Sequence, residues 1–235
     1  MKAVSSMATR HVLAELTEVA VAAGLPRVDV DSVGGVDAAQ RVAAGEQLDL
    51  VFLASDALDR LAADGHVDAA SVVPLVLSRV AVAVPSGRDD PAERPDGAAF
   101  PDAGGVRDAL RHAQRIGYST GPSGTALVAM IEEWGLMAEI GDRLVQARPG
   151  VPVARSLADG DVDLGFQQLS ELVGQPGVRI LGVLPADCAI DTVFSGAVAA
   201  TASDPDAARD VLAFLASAAA SGIKTAHSFG VPAAS

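Results

Sequence analysis

The sequence predicts an α/β protein made of two lobes. Short apolar strands alternate along the chain with longer amphipathic helices, which is typical of parallel strands joined by helices. Leu48–Ala54 is apolar throughout, as expected of a strand that is buried on both faces of its sheet. Pro85–Gly105 is rich in proline and glycine, so we expect a loop there, after which a second set of strands and helices begins.

Two long β-rich runs, Leu75–Val84 and Thr192–Thr201, predict the crossover strands between the lobes. With one crossing in each run, the first lobe is discontinuous and comprises residues 1–79 plus 196–235. The second lobe comprises residues 80–195. We expect each lobe to have its own sheet.

Each strand is predicted from a short apolar run bounded by turn residues. In chain order these strands are Lys2–Ser5, Arg27–Asp31, Leu48–Ala54, Leu75–Val84, Arg115–Ser119, Leu144–Ala147, Asp163–Gln167, Val178–Leu184 and Thr192–Thr201. Each helix is predicted from apolar residues three or four positions apart, with start and stop signals such as Asp204-Pro205 and Gly24. The helices are Thr9–Ala23, Asp37–Ala44, Asp56–Asp64, Val106–Ala113, Gly124–Trp134, Val151–Ala158, Leu169–Val173 and Pro205–Ala219.

Composition excludes several classes of function. The chain has 235 residues, of which 50% are hydrophobic and 3% aromatic, so its core is built from small aliphatic side chains. A formal net charge of −13 argues against a nucleic-acid partner, because such a partner requires a basic surface. No apolar run reaches the ~18 residues of a membrane span, so no membrane insertion is expected. Cys188 is the only cysteine and the four histidines are scattered, so we expect no disulfide, no metal and no cofactor.

The amino terminus lacks the apolar stretch of a secretory signal. Met1-Lys2 leads directly into Ala3–Ser6, and Arg10 and His11 interrupt any apolar run that follows. The expected location is therefore cytoplasmic, or periplasmic or extracellular if a leader was removed. Without a leader, a transporter is a doubtful partner.

Small hydroxyl and glycine residues recur where predicted strands pass into helices. Helix N-termini carry free N–H groups and the positive end of the helix dipole, so these residues either cap the helices or bind an anion. Both interpretations are open for any one junction, and the repetition favours an anion site. The candidates are Ser5, Ser6, Gly34, Gly35, Ser55, Ser119, Ser123, Gly124 and Thr125. The last of these junctions lacks the lysine of a nucleotide phosphate loop, which argues against a nucleoside triphosphatase.

Three further polar residues are candidates for ligand contact. Gln167 and Gln168 end an apolar strand, where an amide can donate to an anion or can form part of a polar turn. Arg79 interrupts the apolar run of the first crossover, so it requires either an internal carboxylate partner or a ligand.

Several segments resemble the molybdate-binding branch of the type II periplasmic binding proteins. The resemblance is carried by Val4-Ser5-Ser6, Arg41–Gly45 with Asp49-Leu50-Val51, Tyr118-Ser119 with Ser123-Gly124, and Ala158–Phe166. It implies a two-lobed clamp that closes on a tetrahedral oxyanion held by neutral hydroxyls and backbone N–H groups. The sequence departs from that pattern at two ligand positions. The second family serine falls on Gly34, Gly35 or Val36, and Tyr118, the only tyrosine, does not occupy the place of the family's ligand tyrosine.

A leaderless subgroup of this family, which includes aconitate isomerase-like proteins, is similar in three further segments. These segments are Ser78-Arg79-Val80, Gly165–Leu172 and Leu184-Pro185. This similarity implies a 1,3 proton shift on an unsaturated di- or tricarboxylate, which requires a base and donors for the developing enediolate. The residues do not single out that base, and Glu171 is the carboxylate nearest to the expected site.

The sequence therefore favours binding of a small anionic ligand, a carboxylate or a tetrahedral oxyanion, in a cleft between the lobes. The alternative is an isomerase that uses the same cleft as its active site. A regulator or interaction module is disfavoured because no DNA-binding segment accompanies the fold.

Overall fold

A computed structural model describes residues 1–86, 92–95, 97–148 and 151–232. Part of the predicted Pro85–Gly105 loop, residues 87–91 and 96, lies outside the described residues. None of the helices in the described ranges is long and apolar enough to cross a membrane.

The described residues form nine strands and ten helices. The strands are β1 (Lys2–Ser6), β2 (Asp29–Val33), β3 (Leu50–Ala54), β4 (Val73–Pro85), β5 (Ile116–Tyr118), β6 (Leu144–Gln146), β7 (Leu164–Gln168), β8 (Val178–Val183) and β9 (Asp191–Val198). The helices are α1 (Arg10–Ala22), α2 (Gly35–Ala43), α3 (Ser55–Ala63), α4 (Ala103–His112), α5 (Pro122–Glu133), α6 (Met137–Ile140), α7 (Val153–Ala158), α8 (Leu169–Leu172), α9 (Pro205–Ala216) and α10 (Ser221–Ala226).

The chain divides into two compact units. Unit 1 comprises Met1–Leu77 and Val193–Ser235, and unit 2 comprises Ser78–Thr192. The chain therefore passes from one unit to the other within β4 and again within β9.

Unit 1 is built on a parallel ladder with helices on both faces. β1 pairs with β2 on one side and β3 on the other, both in parallel, and β9 joins β3 antiparallel. Every residue of β3 is buried, as its continuous apolar sequence predicts. One face of the ladder packs Leu50 and Phe52 against α1 and α9, and the other packs Val51 and Leu53 against α2 and α3.

Unit 2 repeats this plan. β5 pairs in parallel with β6 and β7, while the unit 2 part of β4 pairs antiparallel with β7 and β8. Successive side chains of β7 alternate between two cores. Leu164 and Phe166 pack against α4, α5 and α6, whereas the opposite face packs on Val153 and Leu157 of α7.

The expectation of two separate sheets is wrong. The strand order is β2-β1-β3-β9-β4-β7-β5-β6, with β8 beside β4, so one hydrogen-bonded path continues through both crossover strands. The physical reason is the length of β4, whose first part belongs to unit 1 and whose later part supplies the antiparallel partner of β7 in unit 2.

Several helices begin earlier than predicted because capping and proline effects outweigh apolar periodicity. α4 begins at Ala103 rather than Val106, since the Asp102 side chain accepts a hydrogen bond from the Gly105 N–H at 3.1 Å. α5 begins at Pro122 rather than Gly124, because proline is well suited to the first helical position. The short helices α6 and α10 were not predicted, since four to six residues carry little periodicity.

Lys224 of α10 is a buried cation. Its side chain is only 1% exposed, and no salt bridge to a described carboxylate lies within 4 Å. Burial lowers the pKa of this amine from its ordinary value. The folded state is therefore less stable when the Lys224 amine is charged than when it is neutral.

We expect Lys224→Met to raise the free energy of unfolding at pH 7 by about 1 kcal/mol, because it removes an unpaired buried charge. The folded pKa is depressed, so the stability of the wild type should rise with pH above that pKa until the unfolded amine also loses its proton. The variant should lack this rise. Urea titrations at several pH values measure both effects. The matched control is Lys2→Met, which alters the other lysine of the chain, an exposed one. A pH profile that is unchanged in Lys224→Met would show that the amine is solvated.

Candidate functional site

The parallel strands of unit 1 end side by side. In the β1 register Ser5 lies opposite Ser32 of β2 and opposite Phe52 of β3, so the carboxyl ends of all three strands meet at one edge of the sheet. A helical segment follows each strand within two residues: the 3₁₀ turn Met7–Thr9 after β1, α2 after β2 and α3 after β3. This edge carries five of the predicted site residues, Ser5, Ser6, Gly34, Gly35 and Ser55.

Two hydroxyls at the unit 1 edge are engaged with other serines. The Oγ atoms of Ser5 and Ser32 are 2.7 Å apart, and Ser5 is fully buried. Ser55 Oγ lies 2.7 Å from Ser195 Oγ and donates to the Val193 carbonyl at 3.1 Å. Ser195 was not predicted as a site residue, although a serine inside the apolar run of β9 was a signal of it.

Ser6 and Gly35 lie next to each other across the strand ends. A Cβ atom added to Gly35 would be 3.8 Å from Ser6 Oγ, and the Ser6 side chain is partly exposed. Ser6 Oγ accepts only a long hydrogen bond, 3.4 Å, from the Ala8 N–H. The Ser6 hydroxyl therefore retains capacity for a further partner beside the first turn of α2.

The helices at these strand ends lack capping side chains. α2, α3 and α5 begin after Gly34, Ala54 and Gly121, and none of the three receives a side-chain cap hydrogen bond. By contrast, Asp102 caps α4 and Asp204 caps α9. Helix capping therefore does not explain the hydroxyl and glycine residues at α2, α3 and α5.

The loop before α5 holds the corresponding residues of unit 2. Ser119 Oγ lies 2.9 Å from Ser123 Oγ, and Thr125 is exposed on the first turns of the helix. A Cβ atom at Gly124 would lie 1.8 Å from the Ser119 carbonyl oxygen, so no larger residue fits this backbone. The glycine lets the loop fold tightly onto the start of α5.

Four buried polar atoms of unit 2 have no hydrogen-bond partner among the described residues. They are Ser78 Oγ, Arg79 Nε, Gln168 Oε1 and Ser170 Oγ. All four lie within two residues of a single cross-strand pair, Val80 of β4 opposite Gln168 of β7. Successive residues of a strand point to opposite faces, so Ser78 and Gln168 leave the sheet on the face of Val80, whereas Arg79 leaves it on the other face. Buried polar groups are normally satisfied, so the unpartnered Nε–H of Arg79 indicates a place where a polar ligand binds.

Arg79 and Gln167 share one face of the unit 2 sheet. Ala81 pairs with Gln167, and Arg79 stands two residues before Ala81 in the same strand, so its side chain leaves the sheet on the same face. Arg79 is partly exposed, and no described carboxylate lies within 4 Å of its guanidinium. Burial raises the pKa of the Asp191 carboxyl, and the positive charge of Arg79 opposes that effect.

Glu171 is connected to the same face through Gln167. The Gln167 side-chain N–H donates to Glu171 Oε2 at 2.5 Å, while Gln167 Oε1 accepts from the Val153 N–H at 2.8 Å. Burial raises the pKa of the Glu171 carboxyl, and the hydrogen bond from Gln167 opposes that effect. Sequence reasoning named Glu171 only as the nearest carboxylate and did not list Ser78 or Ser170, because exposure and hydrogen bonding cannot be read from residue order.

Thiol chemistry is disfavoured at Cys188. Burial and the neighbouring Asp187 raise the pKa of Cys188 to about 11, so the thiol is protonated near neutral pH and is a weak nucleophile. Within the described part of the chain, no three histidine, cysteine, aspartate or glutamate side chains are grouped so that they could hold a metal ion.

Comparisons with known proteins agree with this architecture. Residues 2–230 match the family model described as bacterial extracellular solute-binding protein. The fold superposes on the periplasmic molybdate-binding protein of Azotobacter vinelandii with a TM-score of 0.75 at 18% identity, covering 99% of each chain. It superposes on the tungstate ABC transporter structure from Geobacter sulfurreducens with a TM-score of 0.70 at 17% identity, covering 96% of this chain and 97% of that one.

The chain belongs to the family of bacterial extracellular solute-binding proteins. The predicted fold class, a two-lobed type II periplasmic-binding-protein-like α/β fold with two crossover strands, is confirmed, and so is the predicted family resemblance. Among characterised relatives, the chain is 36% identical over 179 residues to an aconitate isomerase from Pseudomonas sp. That match covers 75% of this chain and 65% of the isomerase.

Proposed function

We propose that the chain binds a small anionic ligand, and that Arg79 supplies the positive charge that holds it. The observation that carries this proposal is the buried, unpartnered Nε–H of Arg79 on the sheet face that also carries Gln167. Arg79 Nε–H is a donor, and the hydroxyl of Ser170 can donate as well. A buried guanidinium N–H without a partner suits an anion.

A local cation is needed because the protein as a whole repels anions. With a net charge of −13, neutral donors alone would hold a multiply charged ligand weakly, unless the site focuses positive potential. A guanidinium can hold a carboxylate with two parallel hydrogen bonds. Arg79 therefore favours a di- or tricarboxylate over an oxyanion bound by hydroxyls alone.

The remaining predicted residues are included in the proposal as neutral anion contacts. In unit 2 these are Ser119, Ser123, Gly124, Thr125 and Gln167, and in unit 1 they are Ser5, Ser6, Gly34, Gly35 and Ser55. The partly exposed side chain of Ser6 beside the uncapped start of α2 supports the unit 1 set. A tetrahedral oxyanion can accept hydrogen bonds from neutral hydroxyls and backbone N–H groups, so it can be bound without a positively charged side chain.

A thermal-shift screen tests this proposal. A ligand at about 100 times its dissociation constant adds about 2.7 kcal/mol to the free energy of unfolding, which is readily seen as a rise in melting temperature. We expect citrate, aconitate or a related di- or tricarboxylate to stabilise the wild type, with molybdate, tungstate and sulfate as the oxyanion arm. Chloride at matched ionic strength is the control. The absence of a specific shift with any of these anions would refute the proposed function.

Isomerisation of an unsaturated carboxylate is the second candidate function. Two observations favour it: the 36% identity to an aconitate isomerase and the partly buried carboxyl of Glu171, which accepts a hydrogen bond from Gln167. Binding and isomerisation use the same site, so the second function requires the first.

The cytoplasmic location stays a prediction, and so does the doubtful role of a transporter as partner. Fractionation of cells that express the chain from its own gene tests the location.

A further inference from the structure

The Glu171 carboxyl is positioned by the backbone rather than by side-chain packing alone. Because the Val153 N–H occupies Gln167 Oε1 at 2.8 Å, the amide nitrogen of Gln167 must point to the other side, where it donates to Glu171 Oε2 at 2.5 Å. One oxygen of Glu171 is held in this way. Its second oxygen receives no hydrogen bond from the described residues.

Among the described residues, no cation forms a salt bridge with Glu171. The elements packed against α8 are β7, α7 and β8. β7 carries no charged residue, and the charged side chains of the other two, Arg155 and Arg179, are both exposed. Arg155 is paired with Asp159 at 2.6 Å. A partly buried carboxyl without a described counter-charge binds a proton more readily than an exposed one, which is a property of proton-transferring groups.

Arg79, the cation proposed to bind the substrate, projects from the same face of the sheet as Gln167. Arg79 of β4 and Gln167 of β7 share that face at the carboxyl end of β7, and Gln167 contacts Glu171. One strand end thus brings together a guanidinium with an unpartnered Nε, an amide and an uncompensated carboxyl.

We propose that Glu171 is the catalytic base of a 1,3 proton shift on an unsaturated di- or tricarboxylate. This inference rests on the proposed function, since Arg79 must hold a carboxylate of the substrate while Glu171 acts on carbon.

The proton shift needs no partner reagent. The Glu171 carboxylate removes a proton from the methylene group next to the carbon–carbon double bond, so a C–H bond breaks and an O–H bond forms. The electron pair spreads over the allylic carbons and onto the adjacent carboxylate, whose added negative charge Arg79 offsets. Glu171 then returns the proton to the far allylic carbon. The double bond has moved by one position, and no oxidant, reductant or water is consumed.

Glu171→Gln separates catalysis from binding. The amide keeps the shape of the side chain, and its oxygen can still accept from Gln167, but it cannot take a proton. Conversion of cis-aconitate is followed by proton NMR in deuterated buffer, which also reports exchange of the methylene protons, and aconitate affinity is measured by calorimetry. We expect the rate to fall at least 100-fold while the affinity changes less than threefold. The matched control is Glu133→Gln, which alters an exposed glutamate of unit 2 and should leave both values unchanged.

Each outcome of this experiment decides a different point. A Glu171→Gln variant that isomerises at the wild-type rate overturns the role of Glu171. A wild type that binds aconitate without isomerising it or exchanging its protons overturns the inference and leaves anion binding intact. A wild type that binds none of the anions in the thermal-shift screen overturns the proposed function as well.

Glu171→Asp keeps the test decisive if the glutamine variant does not fold. The shorter side chain retains a base but withdraws it from the substrate by about one bond length, so we expect at least a 10-fold loss of rate. The rate should still rise with pH through a single ionisation, with a shifted midpoint. An aspartate variant with the wild-type rate and midpoint would overturn the proposal.

Discussion

Arg79→Ala is expected to weaken carboxylate binding by about 1.5–3 kcal/mol, the range for a hydrogen bond to a charged group, which corresponds to a roughly 10- to 150-fold rise in Kd. The reason is that Arg79 is a partly exposed cation without a carboxylate partner within 4 Å among the described residues, in a protein of net charge −13. Binding of molybdate or sulfate through hydroxyls and backbone should be much less affected. Titration calorimetry with citrate and with molybdate measures the two affinities.

Two variants control the Arg79 experiment. Arg179→Ala removes an exposed arginine of unit 2 and should change carboxylate affinity less than twofold. Arg79→Lys keeps the charge but loses the planar fork, so it should recover part of the affinity. If Arg79→Ala binds citrate as the wild type does, while the wild type still binds molybdate tightly, the carboxylate ligand class is wrong and the isomerase function fails with it.

Gly124→Ala is expected to destabilise the protein by about 3 kcal/mol or more, because overpacking against rigid backbone is among the costliest substitutions. The added Cβ would lie 1.8 Å from the Ser119 carbonyl oxygen, so the loop and the first turn of α5 must separate. Equilibrium urea unfolding measures the loss.

Gly141→Ala is the matched control for Gly124→Ala. It lies in the same unit, and the nearest atom to its added Cβ is the Met137 Cε at 3.8 Å, an ordinary contact distance. We expect its unfolding free energy to stay within about 0.5 kcal/mol of the wild type. Equal stabilities for the two alanine variants would mean that the loop before α5 is not held tightly against the helix.

The fold was predictable because local patterns and tertiary packing agree. The run Leu50–Ala54 is apolar and is buried on both faces, and the other strands were likewise recognised from runs of apolar residues. The continuous strand order was not predictable, because the sequence pattern of a long strand such as β4 is the same whether the strand belongs to one sheet or to two. α10 was missed because its six residues carry little periodicity, and the burial of Lys224 is unusual for a lysine.

The candidate site was predictable only in part. Residue type drew attention to Arg79, Gln167 and Gln168, because a cation or an amide inside an apolar run is unusual. Residue type could not show that Ser170 lacks a partner or that Gln167 holds Glu171, since both depend on three-dimensional hydrogen bonding. The same limit applies to Ser119 and Ser123, whose mutual hydrogen bond follows from the tight turn at Gly124.

The most direct measurement of the central claim is the side-chain Nε–H signal of Arg79 in a ¹⁵N–¹H NMR spectrum, assigned by its loss in Arg79→Lys. Addition of the di- or tricarboxylate that stabilises the protein should shift this signal in proportion to saturation, because the unpartnered Nε–H gains an acceptor. The Nε–H signal of the exposed Arg179 should stay in place. Saturable ligand binding by calorimetry with an unmoved Arg79 signal would contradict the claim that Arg79 holds the anion.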